Sequence, residues 1–319
     1  MDLRHLTYFL AVAEELNFGR AAERLHISQP PLSRQIMELE EELGVALFER
    51  GPKGVKITHA GQYLEKEAVR LLGRVALVKE RIGAMRGGGP RLVRVGFVAS
   101  AMYSFLPDLI GEFNRELREL SFEFVELATK AQAGSLLAGR IDIGFVRSWI
   151  DVEGIRFVPI ANESLSLVRS AQIAPVDDNG DLEQYASLPF IAFSKEGAPG
   201  IAECASEACA SAGFSPNTVF TAGQFDSVLR LVAAGLGWSI VPTSALFGSR
   251  LDIVSNELLK QPERIIIGSA LREDEDDPVV LSLLEIARRQ LDSRGRGLHQ
   301  IKDGEKPQAQ LPPSNTRKQ

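Results

Sequence analysis

Apolar residues in the first 58 positions recur three and four apart, the period of helices that bury one face. Phe18 to His26 is one such helix, with Ala21, Ala22 and Leu25 inward, and its small alanines let a second helix approach closely. After a short turn at Ile27, Ser28 stands as an N-cap. Gln29-Pro30-Pro31 then opens a second helix, in the turn where proline costs no hydrogen bond. Leu32, Ile36, Leu39 and Leu43 form its buried stripe, while Pro30, Ser33, Arg34 and Met37 fall on the other side. Leu47–Arg50, Gly51-Pro52-Lys53-Gly54 and Val55–Thr58 read as strand, turn and strand. Thr58 next caps a long helix over 59–86. Leu64, Ala68, Leu71, Leu72, Val75, Leu77, Val78 and Ile82 approximate a seam along it, and Gly87-Gly88-Gly89-Pro90 ends it as a linker.

From 91 to about 291 the pattern changes to alternating strands and helices, which predicts an α/β domain with mostly parallel strands. The apolar runs are Leu92–Ala99, Phe122–Leu127, Ile141–Val146, Leu165–Val168, Phe190–Phe193, Thr218–Ala222, Ser239–Val241 and Ile265–Ala270. Helices are expected to begin near Ser104, Lys130, Asp181, Gly200, Phe225 and Thr243, with a last one from about Pro278 to Leu291. A change of rhythm near 162 divides the domain into lobe I, about 91–161 and 266–291, and lobe II, about 162–265. The remainder, 292–319, carries few core residues and is expected to be a disordered tail.

Charge sharpens this division. Residues 1–90 hold 13 basic against 12 acidic side chains, and residues 91–319 hold 23 against 30. A near-neutral head on an acidic body suits local phosphate contact better than a general electrostatic grip on nucleic acid. No apolar run is long enough for a membrane span, and the N-terminus lacks a secretory cleavage pattern, so a cytoplasmic location and no membrane partner are expected. Two cysteines and four histidines leave little for a disulfide framework or a metal, and no metal or cofactor is expected. The chain lacks GxSxG, GxxxxGK[ST], HExxH and paired CxxC, so no enzyme reading is supported.

Two places carry candidate chemistry. The first is the exposed edge of the 29–43 helix, where Arg34 suits guanine, Gln29 suits adenine and Ser33 suits a base or a phosphate. Arg20, Ser28, Pro30 and Pro31 accompany them. Arg50 and Lys53 make the following hairpin a basic wing flanked by Lys56. The helix-turn-helix spans about Phe18–Met37. A plain amphipathic hairpin is the alternative, favoured by Glu38, Glu40, Glu41 and Glu42. The second place is a crevice at the strand ends, where Ser100, Thr129, Arg147, Pro199-Gly200 and Phe225 would meet a small anion beside Phe145 and Trp149. Ser100 and Thr129 as ordinary N-caps, Arg147 paired with an acid, and Phe225 and Trp238 as core are the competing readings.

The segment LRHLTYFLAVAEELNFGRAAERLHISQPPLSRQIMELEEELGVALFER, with ITHAG after it, resembles the winged helix-turn-helix and linker helix of LysR-type transcriptional regulators. GFVAS, TKAQ, GRIDIGF and LVAAGLGWSIVP resemble the branch that controls benzoate, catechol and chlorocatechol degradation. The resemblance covers nearly the whole chain. It implies a winged helix-turn-helix domain at 1–58, a dimerisation helix at 59–90 and a two-lobed, periplasmic-binding-protein-like effector domain at 91–291. It further implies base or phosphate contacts at Gln29, Pro30, Ser33 and Arg34, DNA contact at Lys53, and an effector cleft at Ser100, Thr129 and Pro199–Ile201. The implied partners are promoter DNA, a small organic acid such as a muconate or benzoate, RNA polymerase, and copies of the chain in a homodimer or homotetramer. Two rivals remain: a redox-sensing member of the family using Cys204 and Cys209, and a solute-binding protein with an accessory helical domain.

Overall fold

A computed structural model describes the whole chain except residues 52–53, 88–89, 148–149, 173–180, 196–197, 247–250, 261–264, 293–297 and 301–319. Lys53, Trp149 and most of the Gly-rich linker therefore lie outside the described residues. The chain forms two compact units: Met1–Arg91 with Gly134–Ile141, and Leu92–Ala133 with Asp142–Gln319.

The first unit begins with α1 (Leu3–Glu15), α2 (Phe18–Arg24) and α3 (Gln29–Leu43). Asp2 and His5 cap α1 reciprocally: the His5 N–H donates to Asp2 Oδ1 at 2.9 Å, and the Asp2 N–H donates to His5 Nδ1 at 3.2 Å. Asn17 caps α2 through the Arg20 N–H at 3.0 Å. This helix ends two residues before the expected His26, which adopts a left-handed φ of 56° and turns the chain towards α3. Ser28 occupies the N-cap of α3, but its hydroxyl makes no capping bond. The cause is local. An N-cap side chain accepts from the second or third helical N–H, and those positions are Pro30 and Pro31, which have none.

Leu32, Ile36 and Leu39 are fully buried against Leu6, Phe9, Val12, Ala21 and Ala22. Leu43, predicted to share their stripe, is 41% exposed. It is the last helical residue before Gly44, whose left-handed φ of 68° ends α3. The wing strands β1 (Phe48–Gly51) and β2 (Gly54–Ile57) pair antiparallel. Thr58 then caps α4 (His59–Gly87), accepting the Gly61 N–H at 3.0 Å. Ala68 is buried in the helical core, and Leu64 and Leu72 pack on it. Leu71, Val78 and Ile82 stay exposed, seven and four residues apart, so the predicted seam splits into an inner face and an outer one.

After α4 come β3 (Arg91–Phe97), α5 (Ala99–Met102), α6 (Leu106–Glu116), β4 (Leu120–Glu126), α7 (Thr129–Leu137), β5 (Ile143–Val146), β6 (Ile155–Glu163) and β7 (Leu165–Ser170), all in the second unit except Arg91 and the end of α7 from Gly134, which belong to the first. The second unit continues through β8 (Pro189–Phe193), α8 (Pro199–Ser211), β9 (Asn217–Ala222), α9 (Phe225–Ala233), β10 (Ser239–Pro242), β11 (Ile253–Glu257), β12 (Ile266–Arg272), α10 (Pro278–Asp292) and β13 (Leu298–Gln300). The helices expected near Asp181 and Thr243 are four-residue 3-10 turns, and the one expected near Ser104 begins at Leu106.

The strands are not mostly parallel. A six-stranded sheet runs β13-β6-β12-β5-β3-β4, with β3 and β5 parallel but β12 antiparallel to both β5 and β6. A three-stranded sheet, β10-β7-β11, is antiparallel, and β8 pairs parallel with β9. The chain passes from the larger sheet to the antiparallel one between Glu163 and Leu165 and returns as β12. That return reverses strand direction, which apolar runs alone do not reveal. Pro159 sits in β6 at a register shift opposite Gly268, where a missing N–H is tolerated. Leu298–Gln300, inside the segment expected to be disordered, pairs with Ala161–Glu163 and supplies backbone partners at the edge of β6.

One core surrounds Phe113, Phe145, Leu106 and Leu109. Another surrounds Trp238, Phe190, Phe193 and Phe225. In the first unit, Gly61 is a close-approach position, because a Cβ there would lie 2.4 Å from the Leu47 carbonyl oxygen and 2.6 Å from Ile57 Cγ1. Gly61→Ala is expected to destabilise this unit by about 1–3 kcal/mol, as overpacking does. The measurement is its urea midpoint; an unchanged midpoint would show that α4 moves away from β1 without cost.

Candidate functional site

The exposed edge of α3 follows from its buried stripe. With Leu32 and Ile36 inward, Gln29, Pro30, Pro31, Arg34 and Met37 face solvent and Ser33 is half-buried. Among the described residues, Arg34 makes no hydrogen bond or ion pair. The other candidate cations are held more firmly. Arg20 lies on Glu15, 3.3 Å from its carboxylate and 2.5 Å from its carbonyl oxygen. The Arg50 guanidinium lies over the Phe18 ring at 4.6 Å and 3.6 Å from Glu40. Three of the four acids that favoured the plain-hairpin reading, Glu38, Glu40 and Glu42, have structural partners. Glu40 accepts the N–H groups of Leu47 and Phe48 at 2.8 and 3.1 Å and so fastens the wing to α3. Glu38 accepts from Gln35, and Glu42 meets the chain's amino terminus.

In the second unit three strand ends converge. The Val98 N–H donates to the Phe145 carbonyl, and the Leu127 N–H donates to the Phe97 carbonyl. Gln132 on α7, fully buried, donates to the carbonyls of Leu127 and Phe145 at 3.0 and 3.3 Å. Gly144 makes room for it, since a Cβ there would lie 2.3 Å from Gln132 Oε1. Sequence reasoning missed Gln132; its signal was an amide in the first turn of a helix that leaves a strand end.

Arg147 extends from the end of β5 into a polar cluster. Its Nη1 lies 3.0 Å from Glu163, and its Nη2 donates to Ser104 at 2.5 Å and to Ser244 at 3.3 Å. The Ser244 hydroxyl donates to Glu163, and Ser166 and Thr243 share a hydrogen bond of 2.8 Å beside them. The guanidinium also stacks near Phe225 at 5.5 Å and Phe105 at 5.9 Å. The Arg147 side chain is 7% exposed and that of Glu163 is sealed. Burial pushes the Arg147 pKa down and the Glu163 pKa up, and each partner's charge opposes the shift.

The structure thus joins Arg147 with Phe225 and with an acid, as the competing reading allowed. Ser104 reaches the Ser100 carbonyl at 3.1 Å, which sets Ser100 beside this cluster. Ser100 is not an N-cap, because Val98 holds that position for α5. Thr129 is the first residue of α7, not its cap; the Ala128 carbonyl accepts the Gln132 N–H. The hydroxyls of Ser100 and Thr129 make no hydrogen bond among the described residues. Gly200 is exposed at the start of α8, while Ile201 is buried in the core around Trp238. Phe145 is core, and Phe225 packs on Phe193 with centroids 4.8 Å apart. Cys204 and Cys209 are buried and form no disulfide, and burial pushes the Cys209 thiol up to about 11, away from a reactive thiolate.

A proline-started helix-turn-helix with a wing, in one chain with an α/β unit that has a polar cluster at its strand ends, defines the class of DNA-binding regulators. Residues 3–62 match the model for the bacterial regulatory helix-turn-helix protein of the lysR family, and residues 86–292 match the LysR substrate binding domain. The chain belongs to the LysR family of transcriptional regulators. It is similar to the regulator AlsR of Bacillus subtilis, 34% identical over 295 residues that cover 91% of this chain and 96% of AlsR. It is 35% identical to BenM of Acinetobacter baylyi over 296 residues, with the same coverage. Among solved structures, the regulator CbnR superposes with a TM-score of 0.63 at 30% identity, covering 91% of this chain and 99% of CbnR. The chain is a DNA-binding regulator rather than an enzyme. Among its described residues no helix is long and apolar enough to cross a membrane.

Removing one member of the buried pair leaves the other charge unpaired in a dry site. Glu163→Gln is expected to destabilise the second unit by about 3–5 kcal/mol, with Arg147→Met/Glu163→Leu regaining most of it. Chemical denaturation of the two variants beside the wild type checks this; a double variant as weak as the single one would show that the pair itself supplies the stability.

Proposed function

We propose that this regulator is an activator whose α3 reads promoter bases directly and whose second unit responds to a small organic acid. The observation that carries the DNA half is the edge of α3, where Gln29, Ser33 and unpartnered Arg34 stand on a helix whose first turn has lost two backbone donors to Pro30 and Pro31. Arg34 suits guanine O6 and N7, and Gln29 suits adenine N6 and N7. Arg20, Ser28, Pro30, Pro31, Arg50 and Lys53 complete the contact set, as the N-terminal part of a recognition helix and its wing do in a groove. A solved complex of CbnR with its target DNA, 29% identical with a TM-score of 0.64, supports this reading.

The exposed Leu71, Val78 and Ile82 of α4 call for a second copy of the chain, and pairing along that face gives a homodimer with two reading heads. Two such dimers would make a homotetramer. The activator role is supported by a relative, the probable cat1 operon transcriptional activator of Acinetobacter lwoffii, 36% identical over 250 residues that cover 77% of this chain and 82% of that protein. Activation makes RNA polymerase a partner.

For the effector, the supporting features are the free hydroxyls of Ser100 and Thr129, the Pro199–Ile201 start of α8, and Arg147 with Phe225. All belong to one unit, in which lobe I is taken as about 91–161 and 266–291 and lobe II as about 162–265. A carboxylate suits the helix starts, and an aromatic or diene body suits the apolar flank. The motif resemblance selects a muconate or a benzoate. Ligand binding would close the lobes as a shift of population, not a chemical step.

Arg34→Ala is expected to weaken binding to duplex DNA from the protein's own upstream region by about 1–3 kcal/mol without lowering thermal stability. Unchanged affinity in a gel shift would remove Arg34 from the reading edge. Ser100→Ala and Thr129→Ala are each expected to reduce the thermal shift induced by muconates and benzoates while DNA affinity persists. Wild-type shifts in both variants would relocate the effector.

A further inference from the structure

A cleft of about 390 Å³ opens between α1 and the first turns of α3, lined by Arg4, Tyr8, Pro30, Pro31, Arg34 and Gln35. No carboxylate is among its lining residues. Pro30 and Pro31 bring no N–H to it, so its hydrogen-bond donors are side chains alone. The Gln35 amide is already engaged by Glu38 at 2.5 Å. What remains is two guanidinium groups and a phenol over an apolar floor. Arg4 is 63% exposed and only loosely approached by Asp2, at 3.9 Å. Tyr8 is half-buried against the helical core, which fixes its ring and with it the direction of its hydroxyl. Pro30 and Arg34 belong both to this cleft and to the reading edge, so the two surfaces are continuous.

We propose that the cleft is a backbone seat: Arg4 and Tyr8 of α1 hold a DNA phosphate next to the bases that Arg34 reads. The inference rests on α3 being the base-reading helix. A guanidinium is planar, permanently charged and forked to match phosphate oxygens, and a fixed tyrosine hydroxyl adds one neutral donor. Holding a phosphate on a neighbouring helix sets the depth and register of α3 in the groove, where α3 itself offers two fewer backbone donors because Pro30 and Pro31 have no N–H. Such a contact carries no sequence information and releases a counterion.

The test uses the full chain, a duplex from the protein's upstream region and a shuffled duplex of equal length and composition, each titrated across a salt series. Arg4→Ala is expected to weaken both duplexes by the same factor. It should also flatten the slope of log affinity against log salt by about 0.9, so that the ratio of wild-type to variant affinity shrinks about 3.5-fold for each fourfold rise in salt. Arg4→Lys should keep the wild-type slope, and Tyr8→Phe should weaken both duplexes equally with the slope unchanged. An unaltered slope for Arg4→Ala in a chain whose wild type binds both duplexes overturns the seat and leaves the reading of α3 standing. A loss confined to one duplex also overturns it, since that would make Arg4 a base reader. A wild-type chain indifferent to both duplexes overturns the seat and the reading of α3 together.

Discussion

The larger unit is organised around a charge pair sealed from water where its chain crosses between sheets. Glu163 ends β6, Leu165 begins β7, and Arg147 reaches Glu163 from the end of β5. Hydroxyls of Ser104 and Ser244 hydrogen-bond to the pair, while Arg147 Nε and Nη1 and Glu163 Oε2 make no hydrogen bond. Burying both charges costs several kcal/mol per ion, and contact between them offsets that only in part when polar atoms stay unsatisfied. Backbone hydrogen bonds hold the crossing as well. The Thr243 N–H donates to the Ser164 carbonyl and the Glu163 N–H to that of Ile265, so both passages between the sheets are tied at the same place. Apolar packing joins in, since Ala161, Leu165 and Ile265 beside the pair are all buried.

The DNA-binding unit depends on a subtraction instead. Pro30 and Pro31 start α3 without penalty yet remove two of the N–H groups that a helix N-terminus usually offers to an anion, leaving those of Ser28 and Gln29. Side chains therefore carry a larger share of the polar chemistry at this end of the helix. Ser28 shows the same effect, since its hydroxyl is left without a capping duty.

Helix α3 was legible because its period is strict: Leu32, Ile36 and Leu39 alone specify which face is inward. Thr58 was legible as a cap, and β8 and β9 were legible as compact apolar runs. Strand β6 was not, because Pro159, Asn162 and Glu163 break its apolar run. Each is accommodated only by something distant: a register shift opposite Gly268, the short strand β13, and Arg147. Gln132 and Arg147 could not be assigned partners from spacing, since their partners arrive from other strands. The caps assigned to Ser100 and Thr129 missed by one or two residues, which is the usual scale of error when helix starts are read without coordinates. An acid partner for Arg147 was open from the sequence as a competing reading, and the structure supplies it as Glu163.

The distribution of charge in the first unit also bears on how strongly one copy can hold DNA. Arg20 and Arg24 lie on Glu14 and Glu15, Arg50 lies on Glu40, and Glu42 meets the amino terminus. These pairs fix the helices and the wing but withdraw cations from a passing phosphate. Among the arginines of the first three helices, Arg34 makes no ion pair and Arg4 meets only Asp2, at 3.9 Å. The exposed Leu71, Val78 and Ile82 likewise leave α4 an apolar face that a single copy does not cover.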